Sequence, residues 1–173
     1  MHYINSRRMQ KGVGMMEILA AVLVLAVGVL GFASLQVRAV QASGEAYFRS
    51  QSSAIALDLA ERVRVNDTQR SKYLLAATWP TAAISAAPTA CITASCTPAA
   101  QATFDAQEII YDVQTLLPQG EVNMEPCKGS AVNCIYIGWN GTHATASAAG
   151  PNQCVDDNGK YVDGAQCIMM ETF

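Results

Sequence analysis

Charge is scarce in this sequence: Lys, Arg, Asp and Glu together make up 14% of it, with a formal net charge of −3. Without a basic surface there is little to neutralise a run of phosphates, which argues against nucleic acid as a partner. Histidine is rarer still, with two residues. No Cys-x-x-Cys pair occurs either, so the common zinc patterns are missing and no metal or other cofactor is expected. No proline precedes Pro80, which leaves a long N-terminal stretch free of the strongest helix breaker. No cysteine precedes Cys91, and the second half holds all six: Cys91, Cys96, Cys127, Cys134, Cys154 and Cys167.

What the chain does have in excess is apolar residues, 51% by count, and they are concentrated near the start. A polar leader over residues 1–12 carries Arg7, Arg8 and Lys11. After Val13-Gly-Met-Met-Glu17 comes Ile18 to Leu35, in which Ser34 is the only polar side chain. That length approaches the roughly 20 residues a helix needs to cross a bilayer. The positive flank comes first, which keeps the N-terminus in the cytoplasm and exports the rest. An even number of cysteines confined to the exported part fits disulfides in an oxidising compartment. No small-residue cut site follows the apolar run, so the segment reads as retained rather than removed as a secretory signal. Glu17, a carboxylate at the mouth of an oily segment, is expensive there and marks function.

Lys11-Gly12 followed by Val13-Gly14-Met15-Met16-Glu17 and an apolar helix resembles the class III prepilin signal of type IV pilins and type II secretion pseudopilins. The resemblance implies cleavage after Gly12 by a prepilin peptidase. It also implies N-methylation of the new first residue, Val13, where the family usually has phenylalanine, and an assembly role for Glu17. In a filament of packed helices a buried carboxylate needs a cation, and the freed amine of Val13 supplies one.

Helical patterning continues past the apolar run to about Leu75. Glu45/Arg49 and Asp58/Arg62 are i,i+4 pairs with the acid first. Phe48, Ile55, Leu59 and Val63 recur at helical spacing and predict a stripe that covers a sheet. Asn66-Asp67 is the candidate break. The run Ala54-Ile-Ala-Leu-Asp-Leu-Ala-Glu-Arg-Val-Arg-Val-Asn66 resembles PilV-type minor pilins of type IV pili, as do the later Leu-Leu-Pro-x-Gly-x-Val and Ile-x-Ile-x-Trp pieces.

Beyond Thr78 the Pro, Ala, Ser and Thr content predicts a surface connection to Thr103. Glu108 to Leu117 is ambiguous between helix and strand. Glu121–Glu125, Cys134–Trp139 and Cys167–Phe173 read as strands, and Asn158-Gly159 as a hairpin turn between Val155 and Tyr161-Val162. Six cysteines allow fifteen pairings; the local reading pairs Cys91 with Cys96, Cys127 with Cys134, and Cys154 with Cys167. Asp156, Asn158 and Asp163 gather hard oxygens that would suit calcium. The spacing departs from the EF-hand pattern, however, and a turn with solvated acids fits better. His143 sits in a small-residue loop, and nothing supplies a nucleophile elbow, so no catalytic residues and no small-molecule substrate are expected.

The resulting expectation is an α+β, pilin-like fold, in which a long N-terminal helix packs on an antiparallel sheet. Its segments are a prepilin leader (1–12), a membrane-spanning or filament-core helix (13–36), a helix packing on the head (37–75) and a disulfide-stabilised β-rich periplasmic head (76–173). The resemblance implies a minor pilin that primes assembly and supports piliation, twitching motility and adhesion. Its implied partners are other minor and major pilins, the prepilin peptidase and the inner membrane, with a final place in the pilus, at or near the tip. A minor pseudopilin of a type II secretion system is the alternative.

Overall fold

The structure is a computed structural model that describes residues 12, 14–146 and 152–172. The chain divides into two compact units, residues 1–44 and 45–173. The architecture is α+β, with helix α1 at Met15–Val65, short helices α2 at Arg70–Tyr73 and α3 at Ala90–Thr93, and α4 at Pro98–Leu116. Strands β1 (Glu121–Pro126), β2 (Asn133–Gly138) and β3 (Cys167–Glu171) follow.

In the first unit, residues 14–43 are exposed throughout. Their most apolar window has a mean hydropathy of 2.7 and none of it is buried, so α1 is long and apolar enough to cross a membrane. In the second unit the same helix turns amphipathic. Ile55, Ala56, Leu59 and Val63 are buried, with Phe48 partly so, and they share one core with α4 and the inner sheet face. The helix ends at Val65 rather than near Leu75. Asn66 leaves helical geometry at φ −107° and ψ 44°, and a short 3-10 turn (Asp67–Gln69) leads into α2.

The surface connection expected up to Thr103 is corrected in two places. Trp79 is buried in the core, its indole N–H donating to the Tyr73 carbonyl at 2.6 Å. From Pro98 onward the chain is helix α4, which also resolves the ambiguous stretch 108–117. Thr97 caps α4 by accepting from the Ala100 N–H at 3.2 Å, and Pro98 occupies the first turn, where its missing N–H costs nothing. Ala102, Ala106, Ile109, Ile110 and Val113 then fall on one face and are buried. The C-terminal part is therefore less β-rich than expected. At the exit, Gly120 is required because a Cβ there would overlap the Val113 carbonyl.

The sheet is antiparallel in the order β1-β2-β3. Val122, Met124, Ile135, Ile137 and Trp139 face the helices. On the opposite face Cys134, Tyr136 and Cys167 pack beneath Ala144, Ala146, Cys154 and Val155. The hairpin expected around Asn158-Gly159 is reduced to one isolated bridge, Val155 to Tyr161. The turn itself is there: Gly159 has φ +76° and lies so near the Lys128 carbonyl that a Cβ would be 2.7 Å from it.

Leu59→Ala removes a fully buried side chain from α1 and is expected to lower stability by about 2–5 kcal/mol. Leu57→Ala, on the exposed face two residues away, is expected to change it by less than about 0.5 kcal/mol. Denaturant titration of the two variants beside the parent checks the contrast.

Candidate functional site

Glu17 lies in the first turn of α1, its backbone N–H donating to Gly14 O at 2.9 Å. The start of a helix is where a carboxylate is electrostatically favoured. Among residues 14–43 it is the one acid, on a surface of exposed Met, Ile, Leu and Val. Gly12 is described and has open space around it. Val13 and the leader residues 1–11 lie outside the described residues.

The second unit contains a polar junction that the sequence pattern only hinted at. Arg62 makes the expected pair with Asp58 at 2.9 Å and also reaches Asp105 at 3.3 Å and Glu108 on α4. Asp105 is nearly fully buried and also accepts from Tyr73 Oη at 2.6 Å and from Gln101 Nε2 at 2.8 Å. Burial alone would depress the Arg62 pKa, but the hydrogen bond with Glu108 and the charge of Asp58 outweigh it and hold it up. Burial, then the bond to Asp105, pushes the Tyr73 hydroxyl well above the ordinary tyrosine range. Asn66 closes the junction by donating to Pro98 O at 2.8 Å. The signal for Asp105 was its place among Ala102, Ala106 and Ile109, where a lone acid must meet a partner. It was not recognisable until α4 was known to be a helix.

At the N-terminal edge of this unit, Glu45 accepts from the indole N–H of buried Trp139 at 3.2 Å and pairs with Arg49 at 3.0 Å. The Arg49 guanidinium lies 5.9 Å from the Trp139 ring centroid, within cation–π range. The i,i+4 pair Glu45/Arg49 is thus also a clasp over the end of β2.

The six cysteines form three bonds, Cys91–Cys96, Cys127–Cys134 and Cys154–Cys167. Among the described residues no three His, Cys, Asp or Glu side chains converge on a metal-sized site. The Asp156 carboxylate accepts from the backbone N–H of Asn158 and of Lys160, both at 2.9 Å, which shapes the turn. The Lys160 amide, foremost, holds the Asp156 carboxyl below the usual range. His143 Nδ1 is 3.1 Å from Glu121 at the surface, far in sequence from Asp156 and Asp163.

Tyr73→Phe deletes the bond to buried Asp105 and is expected to cost about 1.5–3 kcal/mol. The folded pKa of Tyr73 is raised above the unfolded value near 10. Its contribution to stability is therefore intact below about pH 10 and is lost as pH climbs further. Denaturation midpoints at rising alkaline pH should fall more steeply in the parent than in Tyr73→Phe. A residual slope comes from Tyr136, which burial chiefly pushes up to about 12. Replacing Cys154 and Cys167 together by serine is expected to cost about 3 kcal/mol, against about 2 for the Cys91/Cys96 pair, because the longer loop constrains more unfolded chain.

A family model described as Tt1218-like, type IV pilin Tt1218, matches residues 34–107. That stretch runs from the middle of α1 into α4 and includes Arg62, Tyr73 and Asp105. No curated protein and no solved structure matches the chain. Over the matched residues the chain is similar to type IV pilins; the sheet lies beyond them, and the chain as a whole has the long helix and antiparallel sheet of a pilin-like α+β fold.

Proposed function

We propose that this chain is a minor subunit of a type IV pilus, of the PilV type, held in the inner membrane by α1 until it enters the filament. The observation that carries the reading is the combination of the pilin match over residues 34–107 with an exposed, apolar N-terminal half of α1 that bears one carboxylate, Glu17. On this reading a prepilin peptidase cuts after Gly12 and methylates Val13, and residues 45–173 lie in the periplasm before assembly. The partners are other minor and major pilins. The subunit primes assembly from a position at or near the tip and supports piliation, twitching motility and adhesion. A pseudopilin of a type II secretion system shares the N-terminal features, but the family match is to a pilus subunit, which favours the pilus.

The chemistry centres on one charge. Glu17 tolerates the membrane interface, but among packed helices it needs a cation, and the amine exposed by cleavage at Val13 provides it. Leaving either group buried and unpaired costs about 3–5 kcal/mol. Glu17→Ala, or a Gly12 substitution that blocks cleavage, should leave the protein in the membrane and reduce its recovery in sheared pilus fractions by more than about tenfold. Normal recovery of both variants would overturn the assignment.

A further inference from the structure

Helix α1 is continuous from Met15 to Val65, and its charges mark off a defined length. Residues 18–37 contain no Asp, Glu, Lys or Arg, and Ser34 and Gln36 are their only polar side chains. Glu17 precedes this stretch and Arg38 follows it. The two charges are 21 residues apart, about 31 Å along a helix that rises about 1.5 Å per residue. The hydrocarbon core of a bilayer is about 30 Å thick. Glu17 and Arg38 therefore bracket one bilayer core.

Arg38 has nothing on its own helix to answer its charge. It is the one charged side chain among residues 18–44, and it lies in the fully exposed stretch of α1. Its neighbours three and four positions away are Ser34, Leu35, Gln41 and Ala42, none of them acidic. The next carboxylate, Glu45, is already bound to Arg49 and to the Trp139 indole. A guanidinium without a counter-charge is costly in hydrocarbon and settles at its edge. Nor is there another anchor at this end. Residues 18–46 contain no Trp or Tyr, so the aromatic belt that commonly fixes a span at its interface is missing.

A cation at that depth meets the phosphate groups of the lipid headgroups. The planar guanidinium offers paired N–H donors that match two phosphate oxygens. Its direction fits as well. Side chains of a helix lean toward the N-terminus, so Arg38 reaches back over the end of the span and onto the phosphate layer from the water side. We infer that Arg38 binds lipid phosphate at the C-terminal end of the span and, with Glu17 at the other end, sets the depth of α1 in the bilayer. Without Arg38 the uncharged stretch would run on to Gly44, about 40 Å of helix, longer than the core it crosses and free to slide. The inference rests on the membrane-held stage of the proposed function and gives that stage a lipid contact.

All six cysteines are disulfide-bonded, so a cysteine introduced into α1 is the only free thiol. The test places Ser34→Cys or Gln41→Cys, one on each side of Arg38, in the full chain reconstituted into vesicles of phosphatidylethanolamine and phosphatidylglycerol. N-ethylmaleimide then reports which thiol meets water. Gln41→Cys is expected to react about tenfold faster than Ser34→Cys, and adding Arg38→Leu is expected to slow Gln41→Cys about tenfold as residues 39–41 slip into the core. Arg38 lies outside the core of residues 45–173, so the substitution leaves that unit folded. In the same vesicles, carbon–phosphorus dephasing in solid-state NMR, with isotope-labelled guanidinium carbons, should place an arginine carbon within about 5 Å of lipid phosphorus. That signal should fall in Arg38→Leu to whatever Arg7 and Arg8 contribute. An unchanged Gln41→Cys rate, or unchanged dephasing, in Arg38→Leu would overturn the inference while leaving the membrane span intact. Equal rates for Ser34→Cys and Gln41→Cys beside an intact Arg38 would place the segment outside the bilayer and overturn the membrane-held reading along with it.

Discussion

One helix must suit two surroundings, and the rest of the molecule follows from that. The first half of α1 presents apolar side chains on every side and has no core of its own. Such a surface is stable only where water is excluded, and a helix can go there because its backbone groups are satisfied internally. From Glu45 onward the same helix narrows its apolar face to the stripe Phe48, Ile55, Leu59 and Val63. Each large side chain buried in that stripe contributes about 1.5–3 kcal/mol. The division of the chain after Gly44 falls where this change occurs.

The apolar stripe alone would let α4 slide along α1. Arg62 removes that freedom, because one guanidinium faces Asp58 on its own helix and Asp105 and Glu108 on the other. The desolvation of Arg62 is offset only in the register that brings all three carboxylates into reach. Asp105 strengthens the selection, since its carboxylate is also tied to Tyr73 and Gln101. A buried ion pair of this kind adds little net stability over a well-packed apolar contact but penalises misalignment heavily. The run Leu59 to Asn66 thus interleaves two tasks. Leu59 and Val63 fill the core, while Arg62 and Asn66 fasten α4.

Features that depend on near neighbours were legible in the sequence. The membrane-length run, the i,i+4 pairs of α1, the alternation in β1 and the β-formers of β2 all act over a few residues, and the structure contains each of them. Helix α4 was not legible because its first turns are Ala, Gln and Thr, a composition shared with loops. Its centre, Ile109-Ile-Tyr-Asp-Val113, also carries β-branched residues that suit either state. The decision rests on the Thr97 cap, on Pro98 and on a core partner in α1 that lies 43 residues back from Asp105. Trp79 was missed for the same reason, since its neighbours look like linker and its anchor, Tyr73 O, is part of the short helix that follows the end of α1. The acidic turn at Asp156 gathers hard oxygens but reads better as a turn with solvated acids than as a calcium loop. In the structure one Asp156 oxygen accepts from the amides of Asn158 and Lys160, which shapes that turn.

A three-stranded sheet has two edges, and this one treats them differently. On β3 the outward amide of Met169 is capped by the Tyr161 hydroxyl at 2.9 Å, and the exposed Glu171 adds a charge that discourages pairing. On β1 the outward position at 126 is closed by proline and Met124 is covered by packing. The two edges thus rely on different devices, a hydroxyl cap and a charge on β3, a proline and close packing on β1, and each discourages pairing with a further strand.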